Sequence, residues 1–245
     1  MNKVVIPIVA AVGLASLLML YLAGAGFRNG TFELGQAFTL LRYCAYGGIT
    51  GVGLTIFIII WQRPAGISLL VLFFSALAGL AAFYLPYRQQ QIAARVPPIH
   101  DITTNIDNPP AFVAIVPIRA GAPNPPEYLG GETAELQREY YPDMMSQVYV
   151  QPPEALFTAV TEVVVDMGWE LVDANVTDGR IEATDTTVWF GFKDDIVIRL
   201  DAGLANSTVL DVRSKSRIGR SDIGTNARRI RAFIAALNEK LMVGN

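Results

Sequence analysis

The sequence predicts an α+β protein in two parts: three N-terminal transmembrane helices, then a two-layer soluble domain made of a helix, a four-stranded antiparallel sheet and a second helix. Three observations predict it. Charge is partitioned, because residues 1–86 carry only Lys3, Arg28, Glu33, Arg42 and Arg63 of the 41 charged residues. The same region holds three long apolar runs. Beyond residue 152 the apolar period changes from helical to alternating and back to helical, as a helix, strands and a helix require.

The apolar runs are VVIPIVAAVGLASLLMLYLAGAG (4–26), YCAYGGITGVGLTIFIIIW (43–61) and GISLLVLFFSALAGLAAFYLPY (66–87). About 20 apolar residues match a bilayer core about 30 Å thick. Trp61, Tyr84 and Tyr87 stand at run ends, where amphipathic rings favour the interface. The Ala-Gly-Ala closing the first run imitates a cleavage site, but its length and the two later runs point to a retained helix. Gly47 and Gly51, and Ser75 and Gly79, have the spacing that lets helices approach closely. They serve packing within the chain or a homo-oligomer formed through the same faces. No ionisable residue lies in mid-membrane to suggest transport. Cys44 is the one cysteine, so no intrachain disulfide forms.

Residues 1–87 are therefore read as the anchor, 88–151 as a Pro/Gly-rich linker or strap, and 152–245 as the soluble domain. The apolar residues Ile99, Ile102, Phe112, Val113, Ile115 and Val116 favour a strap laid over the domain. In the domain, Leu156, Val160, Val163 or Val164 and Met167 mark one helix, and Ile223, Ala227, Ile230, Ile234, Leu237 and Leu241 mark the other. Four strand-like runs lie between, separated by turns at Thr177-Asp178-Gly179, Gly191 and 203–206. In the last two strands Ile196, Ile198, Leu200, Leu210 and Val212 alternate with polar residues. The alternation places Arg213, Lys215 and Arg217 on one face with Asp195, Arg199, Asp201 and Glu182, which reads as a mixed-charge ladder on a solvated face. Residues beyond 86 carry 15 basic and 21 acidic side chains, which argues against nucleic acid as a partner.

Two polar stretches are candidate sites. HDITT supplies His100, Asp101, Thr103 and Thr104, and SRIGRSDIGTN supplies Arg217, Arg220, Ser221, Asp222 and Asn226. Ser221 reads as the N-cap of the last helix, with Asp222 in its first turn. The flanking arginines also make this helix start an anion seat. If the strap meets the loop, the two stretches form one polar cluster. His100 reads chiefly as a side chain whose hydrogen bond pins the strap. A hydrolase or transferase site needs His100 and Ser221 within hydrogen-bond reach. Trp189, Phe190 and Phe192 cluster at a turn, as core or as a membrane or lipid contact. One histidine without nearby cysteine predicts no metal, and no cofactor motif is present.

IHDITTNIDNPPAF (99–112), YYPD (140–143), GRIEATDTTVWFGFKDDIVIR (179–199) and VRSKSRIGRSDIGTNARRI (212–230) occur in order. By these motifs the stretch 98–242 resembles the family called domain of unknown function 1499, with Asn105 standing where an acidic residue is expected. The family carries no established activity. The resemblance implies an envelope-facing domain like those of exported or lipid-anchored relatives. The positive-inside count leans the other way, with Lys3 and Arg63 on one side and Arg28, Arg42, Arg88 and Arg95 on the other. The expectation is an integral inner-membrane protein with a periplasmic soluble domain. It binds an envelope protein, a lipid-like molecule or an anionic ligand. The alternative is a hydrolase or transferase acting on a small anionic substrate where HDITT meets the loop.

Overall fold

The computed structural model describes residues 2–243, which divide into two compact units. One is built on the residues up to Ile92 together with Val188–Gly191, the other on Ala93–Thr187 and the residues from Phe192 onward.

The first unit holds α1 (Asn2–Arg28), α2 (Leu34–Gln62) and α3 (Ile67–Ala93). Each is long and apolar enough to cross a membrane. Helix α2 starts nine residues before its apolar run because Glu33 and Gln36 form a capping box, with the Glu33 amide donating to Gln36 Oε1 at 2.9 Å. The small residues lie where the helices meet. A Cβ on Gly48 would strike the Gly79 carbonyl, and one on Gly79 would sit 2.7 Å from the Gly48 oxygen. A Cβ on Gly51 would come within 3.1 Å of the Gly13 nitrogen. Ser75 Oγ donates to the Ala10 carbonyl at 2.8 Å. The small-residue faces thus pack against one another inside the chain.

The second unit is an antiparallel sheet with two helices, α6 (Pro153–Asp166) and α7 (Thr225–Val243), on one face. The predicted strands are β3 (Glu170–Asn175), β4 (Arg180–Thr186), β5 (Lys193–Ala202) and β6 (Thr208–Ser216). The sheet has six strands rather than four. Two three-residue strands from the preceding segment, β1 (Asp101–Thr103) and β2 (Gln147–Tyr149), pair antiparallel with β6 and share its outer edge. They cover backbone groups of β6 that a four-stranded meander would leave exposed. Two further helices, α4 (Ile115–Ile118) and α5 (Gly131–Tyr140), lie between them in sequence.

Leu156, Val160, Val163 and Val164 of α6 and Ala227, Ile230, Phe233 and Leu237 of α7 cover Ile181, Ile196, Ile198, Leu210 and Val212 of the sheet. Each of these side chains is buried, as the 3.6 and 2.0 periods require. Helix α7 begins at Thr225, later than the Ser221 start read from the sequence. Ile223 and Gly224 both take left-handed conformations, with φ of +50° and +74°, and two such residues in succession stop the helix there.

Gly79→Leu should lower the stability of the helical unit by about 1–3 kcal/mol, the usual cost of overpacking. Gly53→Leu, where an added Cβ meets nothing within 4 Å, should gain no more than about 1 kcal/mol from helix propensity, and it controls for that effect. Thermal unfolding of the two variants in detergent reads the difference.

Candidate functional site

The polar face of the sheet is not solvated. Glu182, Asp195, Asp211, Arg213 and Lys215 are all buried, and segment 104–130 lies over them. The solvated charge ladder is therefore replaced by a buried charged layer between sheet and strap. Of the ladder residues only Asp201 is exposed, and Arg199 and Arg217 are half-buried.

Pairing sets the rows of this layer. Thr184 faces Asp195, Asp195 faces Lys215, and Lys215 faces Asp101 across four strands. Asp195 Oδ1 accepts from Thr184 Oγ1 at 2.7 Å. Arg217 grips the same carboxylate with two bonds, Nε to Oδ2 at 2.8 Å and Nη2 to Oδ1 at 2.7 Å. Arg119 descends from the strap and donates Nη1 to Asp195 Oδ2 at 2.8 Å. Its Nη2 donates to the carbonyls of Asn124 and Ser216. At the end of the row Asp101 receives a bidentate bond from Arg213, at 2.9 and 2.8 Å, and an ion pair from Lys215 at 3.0 Å.

Two more carboxylates hold the strap. Glu182 is fully buried, and its oxygens accept the backbone N–H groups of Val113, Ala114 and Ile115 at 2.9, 3.0 and 2.9 Å. Asp211 accepts from Thr104 Oγ1, Asn105 Nδ2, Ser146 Oγ and Arg199 Nη2. Asn105 donates here, so an acidic side chain in its place would set two carboxylates against each other. Phe112 lies between two guanidinium groups, 4.9 Å from Arg213 and 5.6 Å from Arg119.

The layer carries more positive than negative charge at its loop end. Arg119 and Arg217 form their ion pairs with Asp195, and Arg213 and Lys215 form theirs with Asp101, while Glu182 in the row of Arg213 is held by backbone amides. Burial lowers the pKa of Lys215 and of Arg119, with Asp101 and Asp195 respectively pulling the other way. Arg119 Nε and the Tyr128 hydroxyl have no hydrogen-bond partner among the described residues. Burial, reinforced by the charge of Asp101, pushes the Tyr128 hydroxyl up to about 12.

The predicted polar residues divide among three places. Asp101, Thr104 and Arg217 belong to the charged layer, and the Thr103 backbone exchanges two hydrogen bonds with the Gln137 amide. Asn226 and Asp222 lie on the helix side. Asn226 donates to the His100 carbonyl at 3.0 Å and accepts from Ser214 Oγ at 2.7 Å. Asp222, not Ser221, caps the helix start, accepting from the amides of Gly224 at 2.8 Å and Asn226 at 2.7 Å. Burial raises the pKa of Asp222, and those two amides act against it. Ser221 Oγ accepts from the Ile223 amide at 3.1 Å.

His100, Arg220 and Ser221 form the rim. His100 Nδ1 lies 3.3 Å from the Arg220 carbonyl, and the His100 carbonyl accepts from the Ser216 amide. These bonds and that of Asp222 N–H to the Ile99 carbonyl seat 99–100 against the loop. Burial lowers the pKa of His100, and the Arg220 carbonyl partly restores it. No hydrogen bond joins His100 to Ser221 among the described residues. Trp189 and Phe190 fall in the helical unit, where Phe190 is buried with ring centroids 5.9 Å from Phe27 and 6.0 Å from Phe38. Phe192 lies in the second unit, and its amide donates to Thr187 Oγ1.

The model of the family described as Protein of unknown function (DUF1499) matches residues 101–237, more than half of the chain. The chain belongs to that family. No curated protein matches it. The family match begins at Asp101, the first carboxylate of the charged layer, and ends at Leu237 in the α7 core stripe.

Residue-by-residue reading missed Arg119, Glu182 as a strap anchor, and the second buried cluster of Arg229 with Asp185 and Asp194. For Arg119 a signal exists: it is the one charged residue between Asp107 and Glu127. A lone arginine in an apolar, proline-rich segment has its partner elsewhere in the fold.

Arg119→Ala removes one partner of a fully buried pair and should cost about 3–5 kcal/mol. Urea unfolding measures the loss. Limited proteolysis should then cut within 105–130, and Arg119→Lys should not restore protection, because an ammonium cannot reproduce the fork that bonds Asp195, Asn124 and Ser216.

Proposed function

We propose that this chain is a membrane-anchored binding protein of the cell envelope whose second unit holds an anionic ligand at the loop end of the charged layer. The proposed setting is an inner membrane with the second unit on the periplasmic side. The observation that carries the reading is the charge imbalance. Four cations, Arg119, Arg213, Lys215 and Arg217, share two carboxylates, Asp101 and Asp195, in a largely desolvated layer. A buried cation is stable when an opposite charge accompanies it, and an anion at the rim would supply one. Arg217 retains some exposure and Arg220 is exposed, so both are reachable from solvent at that rim.

The residues suit binding better than chemistry. Ser221 Oγ is held by a backbone amide and His100 Nδ1 faces a carbonyl, so neither is poised toward the other. The ligand's acidic group, a phosphate or a carboxylate, would meet guanidinium donors able to hold it with paired bonds.

A ligand that binds only the folded state raises its stability by about 2.7 kcal/mol at a hundredfold excess over Kd. Thermal unfolding of the full chain in detergent should therefore shift upward, saturably, with inorganic phosphate or a short-chain phosphatidate. Arg217→Gln should abolish the shift. Unfolding that is indifferent to both anions, at constant ionic strength, removes the reading. The membrane side is tested separately by protease protection. The second unit should be digested in opened spheroplasts with the inner membrane intact, and resistance until that membrane is broken would place it in the cytoplasm.

A further inference from the structure

The strap is inside out. Around α4 the side chains facing the sheet are Phe112, Ile115 and Arg119, a set that includes a charge. Those facing away are Val113 (52% exposed), Val116 (40%) and Ile118 (53%). An amphipathic turn on a water-facing surface carries its charges outward. Here the one charge is inside and the aliphatic side chains are outside.

The pattern extends beyond one turn. From Pro109 to Pro126 the chain has no charged residue except Arg119, which is buried. Its exposed members, Val113, Val116 and Ile118 among them, are all without a polar side chain. Asn124, the polar residue among them, turns its amide inward to the carbonyls of Ser216 and Gly219. Nor is the surface a floppy insert that water tolerates by default, since Glu182 and Arg119 fix its backbone from below.

We infer that the outer face of 109–126 is a membrane-docking surface that rests in the interfacial layer of the bilayer, with Val113, Val116 and Ile118 entering the acyl boundary. Two features favour lipid over a protein partner. The same chain carries three helices long and apolar enough to cross a membrane, so a bilayer is always within tether reach and needs no affinity of its own to be found. The face also offers no charge to orient a protein partner, and protein interfaces ring their apolar centre with polar residues. The inference stands apart from the anionic ligand proposed above, which concerns the opposite side of the same segment.

The test uses the full chain in phospholipid nanodiscs, with Cys44→Ser as background and an environment-sensitive fluorophore attached at Val116→Cys. Ile118→Cys repeats the measurement at a second position, and Leu204→Cys serves as an exposed control in the same unit. The expected result is a blue shift at 116 and 118, loss of most of their emission to spin-labelled lipid, and shielding from iodide, with none of these at 204. If probes at 116 and 118 respond to iodide as 204 does and ignore spin-labelled lipid, the inference is overturned. Shielding from iodide without quenching by lipid also overturns it, and would assign the face to a protein, either a second copy or another chain.

Discussion

The carboxylate of Asp195 is the point on which the second unit turns. It lies in the middle of the sheet, fully buried, and is satisfied by one hydroxyl and two guanidinium groups that arrive from different parts of the chain. Arg217 comes from the end of β6 and Arg119 from the strap. An unpaired carboxylate at this depth would be untenable; Thr184 and Arg217 satisfy it from the sheet, and Arg119 ties the strap to it. Ion pairs of this kind add little net stability over well-packed apolar residues, because desolvation offsets the attraction. In the placement observed, the strap supplies partners to Glu182, Asp195 and Asp211 together.

That arrangement explains why the two sides of the sheet differ so much. On the helix side, burial of aliphatic surface on α6 and α7 supplies the non-directional stabilisation a small domain needs. On the strap side the contacts are directional. Glu182 fixes three consecutive amides, Asp211 gathers four donors, and Arg213 reaches Asp101 with a forked bond while stacking near Phe112 and Tyr128. A small apolar island of Phe112, Ile115 and Val197 sits within this polar layer. The strap therefore behaves as a second layer held by hydrogen bonds more than by its own apolar surface. Part of that surface faces outward.

The fold was legible in the sequence where a period is long enough to count. The apolar runs, the α6 and α7 stripes and the alternation in β5 and β6 each repeat over several turns or pleats, and all appear in the structure. β1 and β2 are three residues each, below the length at which alternation can be seen, and only β6 shows that they are strands. The charged face misled for a different reason. Alternation says which residues share a face but not what covers it, so Arg213 and Lys215 read as solvated when the strap in fact buries them. Of the site, the sequence offered contact between the HDITT stretch and the 216–226 loop only as a condition, and the structure supplies it through the backbone of 99–100. The exchange of roles between Ser221 and Asp222 was not legible, since it depends on the left-handed turn at Ile223.

The register of β1 has a consequence for how the chain is made. Asp101 pairs with Lys215, and Thr103 with Arg213, so the first strand waits for a partner more than a hundred residues downstream. Such separations slow folding, because the loop must close before any contact rewards it. During synthesis, 93–130 leaves the ribosome with its aliphatic side chains unpaired and its future partners untranslated. Neither Asp101 nor Arg119 gains its counter-charge until β5 and β6 have been made. The second unit thus cannot be completed until β6 has been made, and a chain interrupted before β6 would leave 109–126, with Arg119 its one charge, without the partners that seat it.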